Sequence, residues 1–433
     1  MKCNQWTLAL AALGLVSLAS VAQADDKPNA LLTSVASTTL SGYVDTSMQW
    51  NPGTGNANAP AYSFGGPGKA DGFNLNTVDV NLEKDADAAD SWGAGYRVEL
   101  WMGPDANALA TQSSGVGTGT DFAVKNAYVD LKAPLGNGLD AKIGVWDTPI
   151  GYEVADSPNN PNFTRSYGFT MEPTTHTGVL LGYTVSDMLT LSAGIADSFG
   201  PTINGRSMSA AGTVRESYKT YMGAVTFTAS TNWGWVGGST ITGCIINGYN
   251  PGGNTPTTVT LVGGVPNVTA GPLGRDQTSF YAGSTLNTPL NKLKVGASFD
   301  YVDIRAQPLN GFQQSYQWNA AFYATFQLTE KMSLNGRAEY FQQSKNISGT
   351  SSFNGALPSK AIECTATLQY DLWKNVLSRV EFRWDHQAGS ITAGASGVPA
   401  FGGAGTTSAV LSNGSIGTLQ NSYELLANIV YKF

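Results

Sequence analysis

Charge is scarce in this 433-residue chain: Asp, Glu, Lys and Arg make up 13% of it, about half the share usual in soluble domains. Histidine occurs twice, as His176 and His386, and cysteine three times, as Cys3, Cys244 and Cys364. No Cys-x-x-Cys pair or His/Cys spacing of tetrahedral metal sites is present, so no metal and no cofactor is expected. Beyond residue 24 there is no run of 18 apolar residues, so no transmembrane helix is predicted. A net charge of −7 argues against nucleic acid as a partner. No Gly-x-Ser-x-Gly elbow supports a hydrolase. Gly115-Val116-Gly117 and Gly402-Gly403-Ala404-Gly405 precede no helical pattern and so form no phosphate cradle.

What the chain does hold is glycine, 51 residues of it, and aromatics at 10%. Residues 1–24 read as a signal peptide: Lys2, an apolar run from Leu8 to Val21, and an Ala22-Gln23-Ala24 cleavage site. A short periplasmic segment is expected over 25–39, and a membrane domain over 40–433. Within that domain the polar and apolar residues alternate with period two. Sixteen strands are predicted near 40–50, 73–84, 92–103, 122–132, 138–146, 174–186, 188–198, 217–228, 233–244, 277–288, 292–303, 316–327, 331–343, 359–371, 375–385 and 421–433. Most are ten to thirteen residues long, the length of a tilted membrane strand rather than the ~5–6 of a globular one.

The two faces separate cleanly. Val376, Ser378, Val380, Phe382 and Trp384 share one side of the fifteenth strand, and Leu377, Arg379, Glu381, Arg383 and Asp385 the other. The last strand puts Tyr423, Leu425, Ala427, Ile429, Tyr431 and the terminal Phe433 on one face. Short and long connections alternate along the whole chain, the long ones rich in Gly, Pro, Asn, Ser and Thr. These features predict an all-β fold: a 16-stranded antiparallel transmembrane β-barrel with short periplasmic turns and long external loops. Sixteen strands leave room for an aqueous lumen.

The chain also resembles a known family, the OmpL-like outer-membrane β-barrel porins. The likeness lies in Ser41-Gly42-Tyr43-Val44-Asp45, Phe73-Asn74-Leu75-Asn76 running into Val80-Asn81-Leu82-Glu83-Lys84, and Tyr96-Arg97-Val98-Glu99 through Gly103-Pro104-Asp105-Ala106. It continues in Ala127-Tyr128-Val129, Asp147-Thr148-Pro149-Ile150-Gly151-Tyr152-Glu153 and His176-Thr177-Gly178-Val179. It is good from about residue 40 to 200 and fades beyond. The resemblance implies an integral outer-membrane channel for passive diffusion of small hydrophilic solutes and ions, not an enzyme. By analogy with porins at large, a homotrimer in outer-membrane lipid is expected. A solute-specific channel, with Tyr128, Trp146 and Trp101 along a sugar path, stays open as an alternative. So do a plugged structural or adhesive barrel and a barrel hydrolase, the last from Asp385-His386 at the external end of a strand.

In general porins the loop after strand 5 folds into the lumen. The corresponding segment, 147–173, carries Asp147, Glu153, Asp156, Arg165 and Glu172. These are expected on one side of a constriction, with Arg97, Glu99, Arg337, Arg379 and Arg383 on inward strand positions. Opposed rows of charge would create a transverse field on polar solutes. Cys244 and Cys364 lie on strands far apart in the proposed order and are expected to be free.

Overall fold

A computed structural model describes residues 37–52, 62–86, 91–109, 111, 120–206, 218–249, 258–262, 265–269, 276–306, 314–344, 360–388 and 421–433. The expected signal peptide, and most of the segment after it, lie outside these residues. In chain order the strands are β1 (Thr39–Trp50), β2 (Gly72–Lys84), β3 (Gly93–Met102), β4 (Phe122–Ala133), β5 (Leu139–Asp147), β6 (Thr175–Ser186), β7 (Leu189–Ala196), β8 (Thr220–Thr228) and β9 (Thr240–Tyr249). There follow β10 (Thr258–Val262), β11 (Val265–Thr269), β12 (Asp276–Asn287), β13 (Leu293–Ile304), β14 (Ser315–Gln327), β15 (Met332–Gln343), β16 (Lys360–Trp373), β17 (Val376–Gln387) and β18 (Asn421–Lys432). All except β10 and β11 form one closed barrel, each strand antiparallel to its neighbours in sequence, with β1 sealing against β18.

Closure satisfies the backbone. In hydrocarbon an unpaired N–H or C=O costs several kcal/mol, so a sheet can cross only if it has no edge. The seam is completed by the last residue: Gly42 donates to the Phe433 carbonyl at 3.1 Å, and Phe433 donates back to Gly42 at 3.0 Å. Alternation sets which face meets lipid. Tyr423, Leu425, Ile429 and Tyr431 are exposed outward, while Glu424, Leu426, Asn428 and Val430 are buried inward. Trp92, Trp373, Tyr431 and Phe433 project near the short turns, and Trp50, Tyr221 and Tyr423 near the long loops. Two such aromatic girdles are what the interfaces of a bilayer favour.

The sixteen predicted strands are the sixteen barrel strands, with one displaced. The ninth was expected over 233–244 and runs instead from Thr240 to Tyr249. Gly234 (φ 65°) and Gly238 (φ 79°) hold the left-handed region here, so the stretch from Ala229 to Ser239 turns instead of extending. The connection after β9, expected to be loop, contains the β10–β11 hairpin.

Two bulges change the lumen. Between β1 and β2 the register shifts, and both Asn76 and Thr77 become buried. Between β3 and β4 it shifts at Glu99/Leu100, so that Lys125 and Asn126 both point inward. Each bulge adds one polar side chain to the lumen where strict alternation would have sent it to lipid.

Candidate functional site: the lumen and its inward loop

The connection from β5 to β6, residues 148–174, lies within the barrel and carries the short helix α1 (Tyr167–Met171). Inward side chains of β15, β16 and β17 bind its backbone. Glu381 accepts from the Phe163 and Thr164 amides at 2.6 and 2.9 Å, and Glu339 from the Tyr167 amide at 2.9 Å. Arg379 donates to the carbonyls of Ser157 and Asn160 at 3.0 and 3.2 Å, and Arg383 to that of Arg165 at 2.6 Å. Asn162 donates to Thr367 at 2.7 Å and the Tyr167 hydroxyl to Asp385 at 2.7 Å. Arg337 donates to Glu153 at 2.7 Å and to Glu363 at 3.1 Å. Irregular backbone of this kind survives at membrane depth only where protein groups satisfy it.

At the other end of its course the loop reaches β4. Lys125 lies 3.0 Å from Asp156, 3.0 Å from Glu99 and 3.2 Å from Asp147. Asp156 is held below the usual carboxylate range: burial pushes it up, but the Lys125 ammonium more than offsets that. Asp79 completes this group, with its carboxylate close to those of Glu99 and Asp156. Arg165 staples the loop to itself, donating to the Val154 and Ala155 carbonyls at 3.0 and 2.7 Å.

Glu172, at the end of the loop, faces Asp300 of β13, a carboxylate that no nitrogen or hydroxyl donor among the described residues reaches. Burial and then the Asp300 charge hold the Glu172 carboxyl well above its ordinary range. A carboxyl whose folded-state value is raised contributes stability that is fully present below the unfolded value near 4.5 and is lost as pH climbs through the folded one. Open-channel noise is therefore expected to grow as pH rises above the ordinary carboxylate range in the wild type, and to grow less in Glu172→Gln. Equal pH dependence in both would refute the assignment.

The expected site residues thus fall into three groups. Glu153, Arg165, Arg337, Arg379 and Arg383 are nearly inaccessible, so their charges are spent holding the loop. Asp147 and Arg97 keep open surface, with side-chain exposures of 47% and 27%, and Arg97 pairs with the buried Glu99 at 2.8 Å. Asp156 and Glu172 are intermediate. Residues the sequence reading passed over are Lys125, Glu339, Glu363, Glu381 and Asp79. A polar pair breaking the alternation, Lys125-Asn126, was the available signal for the first.

The wall from β5 to β9, which the loop touches through Ile150, has an order of its own. Along one hydrogen-bonded row Lys132 pairs with Asp140, then Gly182, Ser192, Ala224 and Cys244 follow on β6 to β9. Along the next, Asp130 pairs with Lys142, followed by Leu180, Gly194, Met222 and Ile246. Along a third, Glu83 opposes Arg97, then come Tyr128, Gly144, Gly178, Ala196 and Thr220. Each row begins with oppositely charged register partners on β2–β5, of which Lys132 and Asp140 approach to 3.4 Å, and continues into an uncharged arc.

Other candidates are dispersed. Asp385 points inward, bound to Arg383 at 2.8 Å, whereas the adjacent His386 meets Asn421 at 2.9 Å. Neighbouring strand residues face opposite ways, so the two form no dyad. Trp101 and Trp146 are about 1% exposed, covered by Phe64 and by Ile150 and Phe199 respectively. Cys244 and Cys364 are both free.

A closed 16-stranded barrel with a polar lumen and an inward loop defines a porin-type channel. A family model described as "Putative beta-barrel porin-2, OmpL-like" matches residues 37–416, and the chain belongs to that family. It is a porin, a channel-forming barrel. No curated protein sequence matches it significantly. Among solved structures it is similar to the anion-selective porin from Comamonas acidovorans, with TM-score 0.55 and 12% identity over 92% of this chain and 99% of that one. It is also similar to the outer-membrane channel DcaP of Acinetobacter baumannii, with TM-score 0.55 and 11% identity over 92% and 97%. A Salmonella typhi OmpF complex with daunomycin matches with TM-score 0.51 and 12% identity, again over 92% and 97%. At such identities the likeness is one of fold.

Proposed function

We propose that this porin sits in the outer membrane and passes small hydrophilic solutes and ions by passive diffusion, through a lumen narrowed by residues 148–174. The observation that carries the reading is the attachment of that loop to inward side chains of β15, β16 and β17. It narrows the channel while leaving the arc β5–β9 uncovered by these contacts. The constriction carries Glu153, Asp156, Arg165 and Glu172 on the loop side and Asp147, at the end of β5 instead of in the loop as expected, with Arg97, Glu99, Arg337, Arg379 and Arg383 on the wall. Its arginines and acids act mainly on each other. The net field on a solute comes from the four acids Asp79, Glu99, Asp147 and Asp156 gathered round the two cations Lys125 and Arg97, an excess of acid that favours cations.

Planar-bilayer recording of the refolded mature protein is the test. Discrete openings with a cation-directed reversal potential in a KCl gradient are expected. A folded, heat-modifiable barrel that never conducts would overturn the reading.

We further propose self-association into a trimer through the outer face of β6–β9. That face has an apolar hollow of about 690 Å³, floored by Ala193, Gly223 and Gly243 and rimmed by Leu181, Leu191, Val225 and Ile245. A second copy can fill a hollow that flexible lipid chains fill poorly. Native mass spectrometry in detergent gives the oligomeric state directly.

A further inference from the structure

The uncharged arc carries a feature that diffusion alone does not require. Thr184 of β6, Thr190 of β7, Thr226 of β8 and Thr242 of β9 are direct partners across four successive strands. All four face the lumen. They share strand parity with Leu180, Ala196, Met222 and Cys244, which pack against Ile150 of the inward loop. Thr184 and Thr190 are exposed, and Thr226 and Thr242 half-buried. One pair is hydrogen-bonded, Thr226 to Thr242 at 3.0 Å. A second, shorter row, Thr228, Thr240 and Thr285, follows on the turn side.

The belt gathers hydroxyls on an arc that carries no charge. A threonine hydroxyl both donates and accepts, so it can exchange hydrogen bonds with a solute hydroxyl at no charge-desolvation cost. Directly above the belt lie Gly182 and Ala224 with Ser192 between them, then Leu180 and Gly194, a surface that is apolar apart from the one serine hydroxyl. Hydroxyls in one row and apolar surface in the next match a solute with a C–H face and a hydroxyl edge. The charged ends of the rows lie on β4 and β5, outside the belt; Lys132 pairs there with Asp140 at 3.4 Å and Lys142 lies over the Tyr128 ring.

We propose that the threonine belt is a specificity element that favours uncharged polyhydroxylated solutes, such as monosaccharides and sugar alcohols, over salts of similar size. This rests on the diffusion-pore reading above and adds a solute class to it.

The test compares two readouts on the full mature protein. Thr190→Val/Thr226→Val/Thr242→Val removes three hydroxyls while keeping shape and β-branching. Influx of D-arabinose and of ribitol into proteoliposomes, followed by swelling, is expected to fall about fivefold, the effect of one ordinary hydrogen bond lost at the rate-limiting position. Conductance in KCl is expected to change far less. Thr226→Val alone, the milder change, is read in the same way if the triple variant does not fold. A parallel fall of sugar flux and conductance would mean that the belt sets only the bore, and no change in either would mean that it sets nothing; both overturn the proposal. A wild-type protein that conducts no KCl would instead remove the pore reading itself.

Discussion

Replacing Arg337 with Gln is expected to free the inward loop and raise single-channel conductance, with strong flicker. The guanidinium is fully buried; it reaches Glu153 of the loop at 2.7 Å, Glu363 of β16 at 3.1 Å and the Thr164 carbonyl at 2.7 Å. It also lies 3.8 Å from Glu339. Without it three carboxylates share a buried space with one cation fewer. Removing one partner of such a network costs roughly 3–5 kcal/mol. Glu381, Arg379 and Arg383 hold the loop independently, so the barrel itself should still form. The temperature at which the folded form is lost on electrophoresis should drop. Arg337→Lys should be intermediate, because an ammonium cannot serve a carboxylate and a carbonyl with the same planar fork. Conductance and flicker identical to wild type would show that Arg337 does not hold the loop in place.

Lys125→Gln is expected to have the second largest effect, and on selectivity first. Its ammonium is 1% exposed and is the cation that Glu99, Asp147 and Asp156 share. Neutralising it leaves these acids and Asp79 facing one another. Reversal potentials in a KCl gradient should move further toward the potassium equilibrium potential, and lowering the pH should reverse the shift as the acids take up protons. The loop end at Asp156 loses its anchor too, at a cost of about 3 kcal/mol, softened by the Tyr43 hydroxyl that also donates to Asp156 at 3.3 Å. An unchanged reversal potential would place this group of acids off the ion path.

Much of the fold was legible because strand geometry is local. Successive side chains of an extended chain face opposite ways, so Arg379, Glu381, Arg383 and Asp385 could be assigned to one face, and Val380, Phe382 and Trp384 to the other, from sequence alone. The ninth strand was misplaced because Trp233-Gly234-Trp235-Val236 reads as alternation, whereas the backbone uses its glycines to turn. Lys125 was missed for the converse reason: a bulge moves it from one face to the other, and the extra residue is defined only against a neighbouring strand.

The candidate site was legible as an inventory and not as an arrangement. The loop acids and inward arginines could be named, and a transverse field between open rows was the natural expectation. In the structure Glu153, Arg337, Arg379 and Arg383 are buried and bonded to the loop or to one another. A charge far along the chain finds its partner only when the barrel closes. Glu381 meets Phe163 across 218 residues and Arg337 meets Glu153 across 184.

The sequence by itself therefore determined the strand count, the face of nearly every strand residue and the alternation of turns and loops, because these follow from a period-two backbone and the two solvents on either side of it. Only the tertiary structure decided which inward charges stay open to the lumen, where the bulges place extra ones, and that four threonines from four strands stand in one row. Those depend on register and on a loop docked inside a closed ring, and neither is a property of any single stretch of chain.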